Sequence, residues 1–285
     1  MRQFILENQK IKNGLIVIDG KDFRYLRQVL RVKTGDMLNV RTKDGELKNT
    51  TVARIDDKGK NITLQICASV AGAGIDALSA DKIRTGEGAI AGNSITRGVQ
   101  ATELNSLSDT EYWLFQFIPK PQKFEQIVRQ ATECGVSKII PVIGEYTEKS
   151  SVLALEGGKK ERIERIIREA RQQSGSPVDT KVMPPMSLDE ALDLWEKGDN
   201  YVGFVLSERD DSRGNLRQII DEKKEKNIKI KRIGIGVGSE GGLSPQEVET
   251  LQSKGLFYSI HFAVNILRCE TAAVYGIAAI QSAVN

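Results

Sequence analysis

The chain has 285 residues, 40% apolar and 28% charged, with 41 Lys and Arg against 38 Asp and Glu for a net charge of +3. This length is expected to divide into about two domains. No apolar run approaches the roughly 18–20 residues of a membrane helix, and the opening Met1-Arg2-Gln3-Phe4-Ile5-Leu6 lacks the apolar core and cleavage site of a secretory signal, so a cytoplasmic protein is expected.

Residues 1–70 carry 14 basic against 8 acidic residues, an excess of +6, whereas 71–110 sum to −2 and the remaining 175 residues to −1. Such asymmetry points to a polyanion-binding module followed by a neutral domain. The segments Gly14–Asp19, Asp36–Val40 and Asn61–Ile66 alternate or run apolar and are separated by turn signals, the pattern of a small β-barrel. Between them, 22–33 has the helical period, with Phe23, Leu26, Val29 and Leu30 on one face and Arg24, Arg27, Arg31 and Lys33 elsewhere.

From 71 to 110, 17 of 40 residues are Ala, Gly or Ser, which reads as an extended linker or insertion. An α/β pattern follows. Strands are predicted at 111–118, 138–143, 201–206, 231–237 and 258–260, and helices at 122–133, 159–173, 188–196, 215–224, 245–254 and from about 270. Alternation of this kind predicts a mainly parallel sheet with ligands at the carboxyl ends of its strands.

Few chemistries remain open. Cys67, Cys134 and Cys269 are odd in number and far apart, which argues against a disulfide framework and gives no CxxC spacing for zinc. His261 is the single histidine, so His-rich metal sites are excluded and Ser-His-Asp hydrolysis nearly so. No metal is expected.

The densest signal is Ile233-Gly234-Ile235-Gly236-Val237-Gly238-Ser239-Glu240-Gly241-Gly242-Leu243-Ser244-Pro245-Gln246-Glu247. A buried strand runs into a glycine-rich turn and then a helix start, with Ser244 as cap, Pro245 in the first turn and Glu247 closing a capping box. Residues 236–241 also satisfy GxGxxG, which keeps a nicotinamide-dependent oxidoreductase open as an alternative. That motif normally opens its fold, however, and no acidic residue ends the next strand. The second signal, Phe262 to Gly276, places Arg268, Glu270 and Thr271 before a helix of small residues.

Taken together, Gly-Ser-Glu-Gly-Gly-Leu-Ser at 238–244 and Asn-Ile-Leu-Arg-Cys-Glu-Thr-Ala at 265–272 resemble the C-terminal signature of SPOUT-class methyltransferases. Within these they resemble the small-subunit (16S) ribosomal RNA uridine-N3 methyltransferase family. Tyr25–Asp36 resembles the basic segment of that family's PUA-like RNA-binding barrel, while Lys123–Pro141 and Glu169–Gly175 resemble its middle motifs. Ser239 stands where a proline is familiar, and Lys149 and Ser176 where arginines are usual.

The resemblance implies a PUA-like barrel over 1–70, a SPOUT domain with a trefoil knot over 111–285, and a homodimer. It implies S-adenosylmethionine as methyl donor and 16S ribosomal RNA as substrate, within an assembled small subunit. Another SPOUT enzyme acting on a ribose oxygen or a tRNA base, and an assembly factor without turnover, are the other readings. Arg268 is expected to stabilise the uridine anion, with Glu240 or Glu270 accepting its proton or holding Arg268. The cofactor is expected to contact Leu206, Gly236, Val237, Gly238, Gly241, Gly242, Ile260, Phe262, Ile266, Leu267 and Thr271. Arg2, Arg24, Arg27, Arg31 and Lys33 are expected to meet RNA phosphates, and Cys269 to serve packing and not nucleophilic attack.

Overall fold

The computed structural model describes residues 3–6, 11–42, 46–67, 109–157, 160–207 and 215–285; Arg2 and residues 71–108 of the expected linker lie outside the described residues. Contacts divide the chain into two compact units. One comprises Met1–Glu7, Arg41–Glu46 and Leu107–Asn285, the other Asn8–Val40 and Leu47–Ser106.

The first strand, β1 (Gln3–Ile5), counts with the larger unit. The smaller unit contains β2 (Ile11–Lys12), β3 (Leu15–Ile18), α1 (Gly20–Arg24), most of β4 (Met37–Arg41), β5 (Leu47–Asp56) and β6 (Asn61–Ile66). Its strands lie in the order β4-β5-β6-β3-β2, with the β5–β6, β6–β3 and β3–β2 pairs antiparallel. The apolar alternation explains the core: Ile16, Ile18, Ile62 and Leu64 are fully buried while their neighbours face out.

The helix expected over 22–33 takes a different form. α1 passes at Tyr25 into a π-helical turn, Tyr25–Val29, and the chain then leaves the helix at Arg31, whose φ is +52°. The wider turn rotates later side chains out of the helical register. Phe23 and Leu26 are buried as expected, but Val29 is 58% exposed and Val32 enters the core instead.

In the larger unit, β7 (Glu111–Phe117), β8 (Lys138–Ile143), β9 (Lys181–Val182), β10 (Met186–Ser187), β11 (Tyr201–Leu206), β12 (Arg232–Val237) and β13 (Phe257–Ile260) form one sheet. The order is β10-β8-β7-β12-β11-β13, with β9 also on β8, and every pairing is parallel. The parallel α/β expectation therefore holds. Its helices are α2 (Pro121–Glu133), α3 (Lys149–Glu156), α4 (Lys160–Ser174), α5 (Leu188–Asp193), α6 (Leu216–Glu225), α7 (Pro245–Ser253) and α8 (Cys269–Val284).

Strand residues alternate between two cores. Leu114, Phe204, Ile233 and Ile235 face α2, α4, α6 and α8, whereas Trp113, Phe115, Ile140 and Val205 face Trp195, Leu251 and Phe257. α2 forms where Pro121 occupies the first turn and Phe124, Ile127, Val128 and Ala131 make one apolar face. It ends as Gly135 takes φ +77° and Val136 N–H bonds back to Ala131 O at 2.9 Å. α5 stops before the expected residue 196, because Trp195 turns inward and packs edge-on against Phe115 at 5.8 Å.

Candidate active site

The carboxyl ends of β12, β11 and β13 lie side by side, and the segments leaving them surround a pocket of about 230 Å³. From the sequence-predicted cofactor set, Leu206, Val237, Gly238, Gly242, Phe262, Ile266 and Leu267 line it. Gly236, Gly241, Ile260 and Thr271 do not: Gly236 and Ile260 are buried behind it in the sheet, while Gly241 and Thr271 are exposed outside it. Glu240 and Arg268 also line the pocket; Glu270 stands next to it.

The glycine-rich turn is shaped by its own backbone. Gly242 N–H donates to Ser239 O at 3.0 Å, and Gly242 adopts φ +76°, which favours glycine. The turn folds back so closely that a Cβ at Gly238 would lie 2.6 Å from the Gly242 carbonyl carbon. Behind it, the fully buried Gln116 on β7 donates its amide Nε2 to Gly238 O at 3.0 Å and Val237 O at 3.3 Å, fixing where β12 ends.

The helix after this turn begins as its capping pattern predicts. Ser244 Oγ accepts from Glu247 N–H at 3.3 Å, and Glu247 Oε2 in turn accepts from Ser244 N–H at 2.7 Å. Glu247 also accepts from Glu145 N at 2.7 Å, which ties the segment after β8 to α7. No local pattern announces that second bond.

Opposite the turn, the segment after β13 supplies apolar walls and α8 supplies polar ends. Phe262 and Tyr275 meet edge to face at 5.1 Å and form one aromatic side. His261 Nδ1 lies 3.1 Å from Ser207 O; a carbonyl only accepts, so the proton sits on Nδ1 and a neutral ring keeps its Nε2 lone pair. Arg268 is the N-cap of α8, its carbonyl taking the N–H groups of Thr271 and Ala272 at 2.9 and 2.7 Å. Its exposed guanidinium has no hydrogen-bonded or ionic partner among the described residues.

Glu240 and Glu270, expected to accept a proton or to hold Arg268 or the cofactor's amino group, both meet Lys123 of α2, and neither is ion-paired to Arg268 among the described residues. Lys123 Nζ is 3.3 Å from Glu270 Oε2 and 3.7 Å from Glu240 Oε1. Burial alone would raise the Glu270 pKa; bonds from its own backbone N–H, from the Cys269 thiol and from Lys123 outweigh it and hold the carboxyl below its usual range. For Lys123, burial is outweighed by its neighbours on the pocket wall, the Glu270 and Glu240 carboxylates among them, and its pKa is raised. The Cys269 thiol is pushed up to about 12, by burial first and then by its bond to Glu270, so it is neutral at ordinary pH and a poor nucleophile. Lys123 is the pocket residue that sequence reasoning missed as chemistry: it falls within a segment of the resemblance, but helical periodicity gives no hint of what it faces.

In the smaller unit, Arg24, Arg31 and Lys33 are exposed, as phosphate contacts require. Arg27 is already engaged. Its Nε and Nη2 each bond the Asp57 carboxylate at 2.8 Å, and Nη1 donates to Val32 O at 3.1 Å.

Residues 106–281, more than half of the chain, match the family model for an RNA methyltransferase domain. The chain is similar to Ribosomal RNA small subunit methyltransferase E 2 of Borreliella burgdorferi, 26% identical over 98% of this chain and 96% of that one. Ribosomal RNA small subunit methyltransferase E of Aquifex aeolicus is 32% identical over 53% of this chain and 58% of its own length. Among solved structures, that of Ribosomal RNA small subunit methyltransferase E from Neisseria gonorrhoeae bound to S-adenosyl methionine shares the fold. It has a TM-score of 0.68 and 22% identity, with 99% of this chain and 97% of that one covered.

Proposed function

Since the chain belongs to the RNA methyltransferase family, we propose that it moves a methyl group from S-adenosylmethionine to N3 of a uridine in small-subunit (16S) ribosomal RNA. The observation that carries this reading is the pocket at the ends of β11, β12 and β13, walled by Phe262, Ile266 and Leu267 and rimmed by Arg268, which has no partner among the described residues. The names of the relatives support the substrate class.

The residues present fit the cofactor. The turn folds tightly on itself, leaving no room for a Cβ at Gly238 beside the Gly242 backbone, apolar side chains and the Phe262–Tyr275 pair suit an adenine, and backbone groups of the 237–242 turn suit its polar edge. When bound, S-adenosylmethionine supplies an electrophilic methyl group. The protein must then align the nucleophile and make N3 reactive, because neutral N3 carries a proton and no free lone pair. Arg268, without a hydrogen-bonded or ionic partner among the described residues, donates to the flanking uracil carbonyl oxygens and stabilises the N3 anion. Of the two carboxylates, Glu240 is more open, 31% exposed against 13% for Glu270, and is assigned the N3 proton.

Arg24, Arg31 and Lys33 are assigned to phosphates. The same reading includes a PUA-like barrel over 1–70, an extended linker or insertion over 71–110, a SPOUT domain with a trefoil knot over 111–285, a homodimer in the cytoplasm, and the assembled small subunit as substrate. Nucleoside mass spectrometry of ribosomal RNA from cells lacking the protein, with and without complementation, tests the reaction. Loss of 3-methyluridine, restored on complementation, is expected; an unchanged profile overturns it.

A further inference from the structure

Three separate elements meet at one ammonium group. Lys123 comes from the first turn of α2, Glu240 from the turn after β12, and Glu270 from the first turn of α8. The contact is reinforced from both sides: Lys120 N–H donates to Glu240 Oε1 at 3.1 Å, and the Cys269 thiol donates to Glu270 Oε2 at 3.2 Å. No other basic side chain among the described residues is ion-paired to Glu240 or Glu270; Lys120 Nζ pairs with Glu148 at the start of α3, and on α4 Arg162 and Glu169 pair with Glu125 and Arg129 of α2. His261, Arg268 and Tyr275 line the same pocket.

We propose that Lys123 is a positioning residue: by bridging Glu240 and Glu270 it pins the 238–242 turn to the start of α8 and holds the pocket in its cofactor-binding shape. This rests on the reading of the pocket as a cofactor site. The energetics favour a local role. Part-exposed ion pairs add little to global stability, but a turn exposed only at its tip, Glu240 and Gly241, opens at less cost than the whole fold, so a modest electrostatic clasp is enough to shift its population. Without Lys123, two carboxylates that now share one cation face each other uncompensated, and one of them takes up a proton more readily.

The test measures calorimetric binding of S-adenosylhomocysteine, which lacks the sulfonium charge and has no net charge at neutral pH, so a simple change in pocket charge affects it less than it affects S-adenosylmethionine. The wild-type protein, Lys123→Met, Lys123→Arg and Lys123→Met/Glu270→Gln are compared from pH 5 to 8, with thermal unfolding followed for each. Lys123→Met is expected to bind about tenfold more weakly at pH 8, with the deficit falling below threefold at pH 5 as protonation relieves the repulsion. Lys123→Arg stays within threefold of wild type throughout, and Glu270→Gln in the Met background restores most of the loss. Unchanged binding by Lys123→Met, or a loss that is the same at every pH and not relieved by Glu270→Gln, overturns the proposal. Should Lys123→Met fail to fold, the Lys123→Arg result decides: a pH profile or affinity unlike wild type's refutes it. Failure of the wild-type protein to bind would instead defeat the cofactor reading itself.

Discussion

A methyl group added at Gly238 tests the cradle most directly. The Cβ of Gly238→Ala would sit 2.6, 2.7 and 2.9 Å from the carbonyl carbon, oxygen and Cα of Gly242, all backbone atoms. Comfortable carbon–carbon contact needs about 3.4 Å or more, so the turn must open by roughly 0.8 Å. Overpacking of this kind costs about 1–3 kcal/mol, and a displacement near 1 Å at a positioned site costs on the order of a hundredfold. Gly236, two residues earlier, is the internal control: a Cβ there would meet Val205 at 3.5 Å, an ordinary contact. Calorimetry with S-adenosylhomocysteine should give about 50-fold weaker binding for Gly238→Ala and less than threefold for Gly236→Ala. Equal losses in the two variants, or wild-type affinity in Gly238→Ala, would refute the view that the 238–242 turn forms the cofactor cradle.

Arg268→Ala should bind S-adenosylhomocysteine within threefold of wild type yet lose at least a hundredfold in methylation rate; an active variant removes Arg268 from the chemistry. Arg24→Ala and Arg31→Ala should each weaken RNA binding and lower the slope of log affinity against log salt by about one. Arg27→Ala, by contrast, should leave that slope unchanged with at most a small fall in the unfolding midpoint, since its guanidinium holds Asp57 and Val32 O in a part-exposed pair; a slope reduced as much as by Arg31→Ala would contradict this. Because the folded Cys269 thiol titrates near 12 in place of 9.0, alkylation at pH 8 mapped by mass spectrometry should be roughly a thousandfold slower than in denatured protein and rise steadily as pH increases. Equal rates in the two states would rule out the buried, carboxylate-bonded thiol.

Much of this molecule is legible in its residues because the relevant information is local. The apolar runs at 111–117, 201–206 and 232–237 are strands where expected, and Ser244, Pro245 and Glu247 start α7 as a capping box should. These features depend on backbone preference and on burial of one face, which neighbouring residues decide between them. The two C-terminal segments named as the site do meet in one pocket, since both follow strands whose carboxyl ends must lie on the same side of a parallel sheet.

What the sequence determined alone, then, is the alternation of elements, the glycine-rich turn, Arg268 and the basic character of the first 70 residues. Tertiary structure decided the rest. The placement of β12 between β7 and β11 brings Gln116 and Lys123 to a turn more than a hundred residues later in the chain. The π-helical turn moves Val29 out of the core, and Asp57 takes Arg27 out of the set of free cations. Each of these outcomes depends on which distant groups become neighbours. Periodicity and capping patterns record only what a residue prefers within a turn or two, so strand order and packing assign the partners.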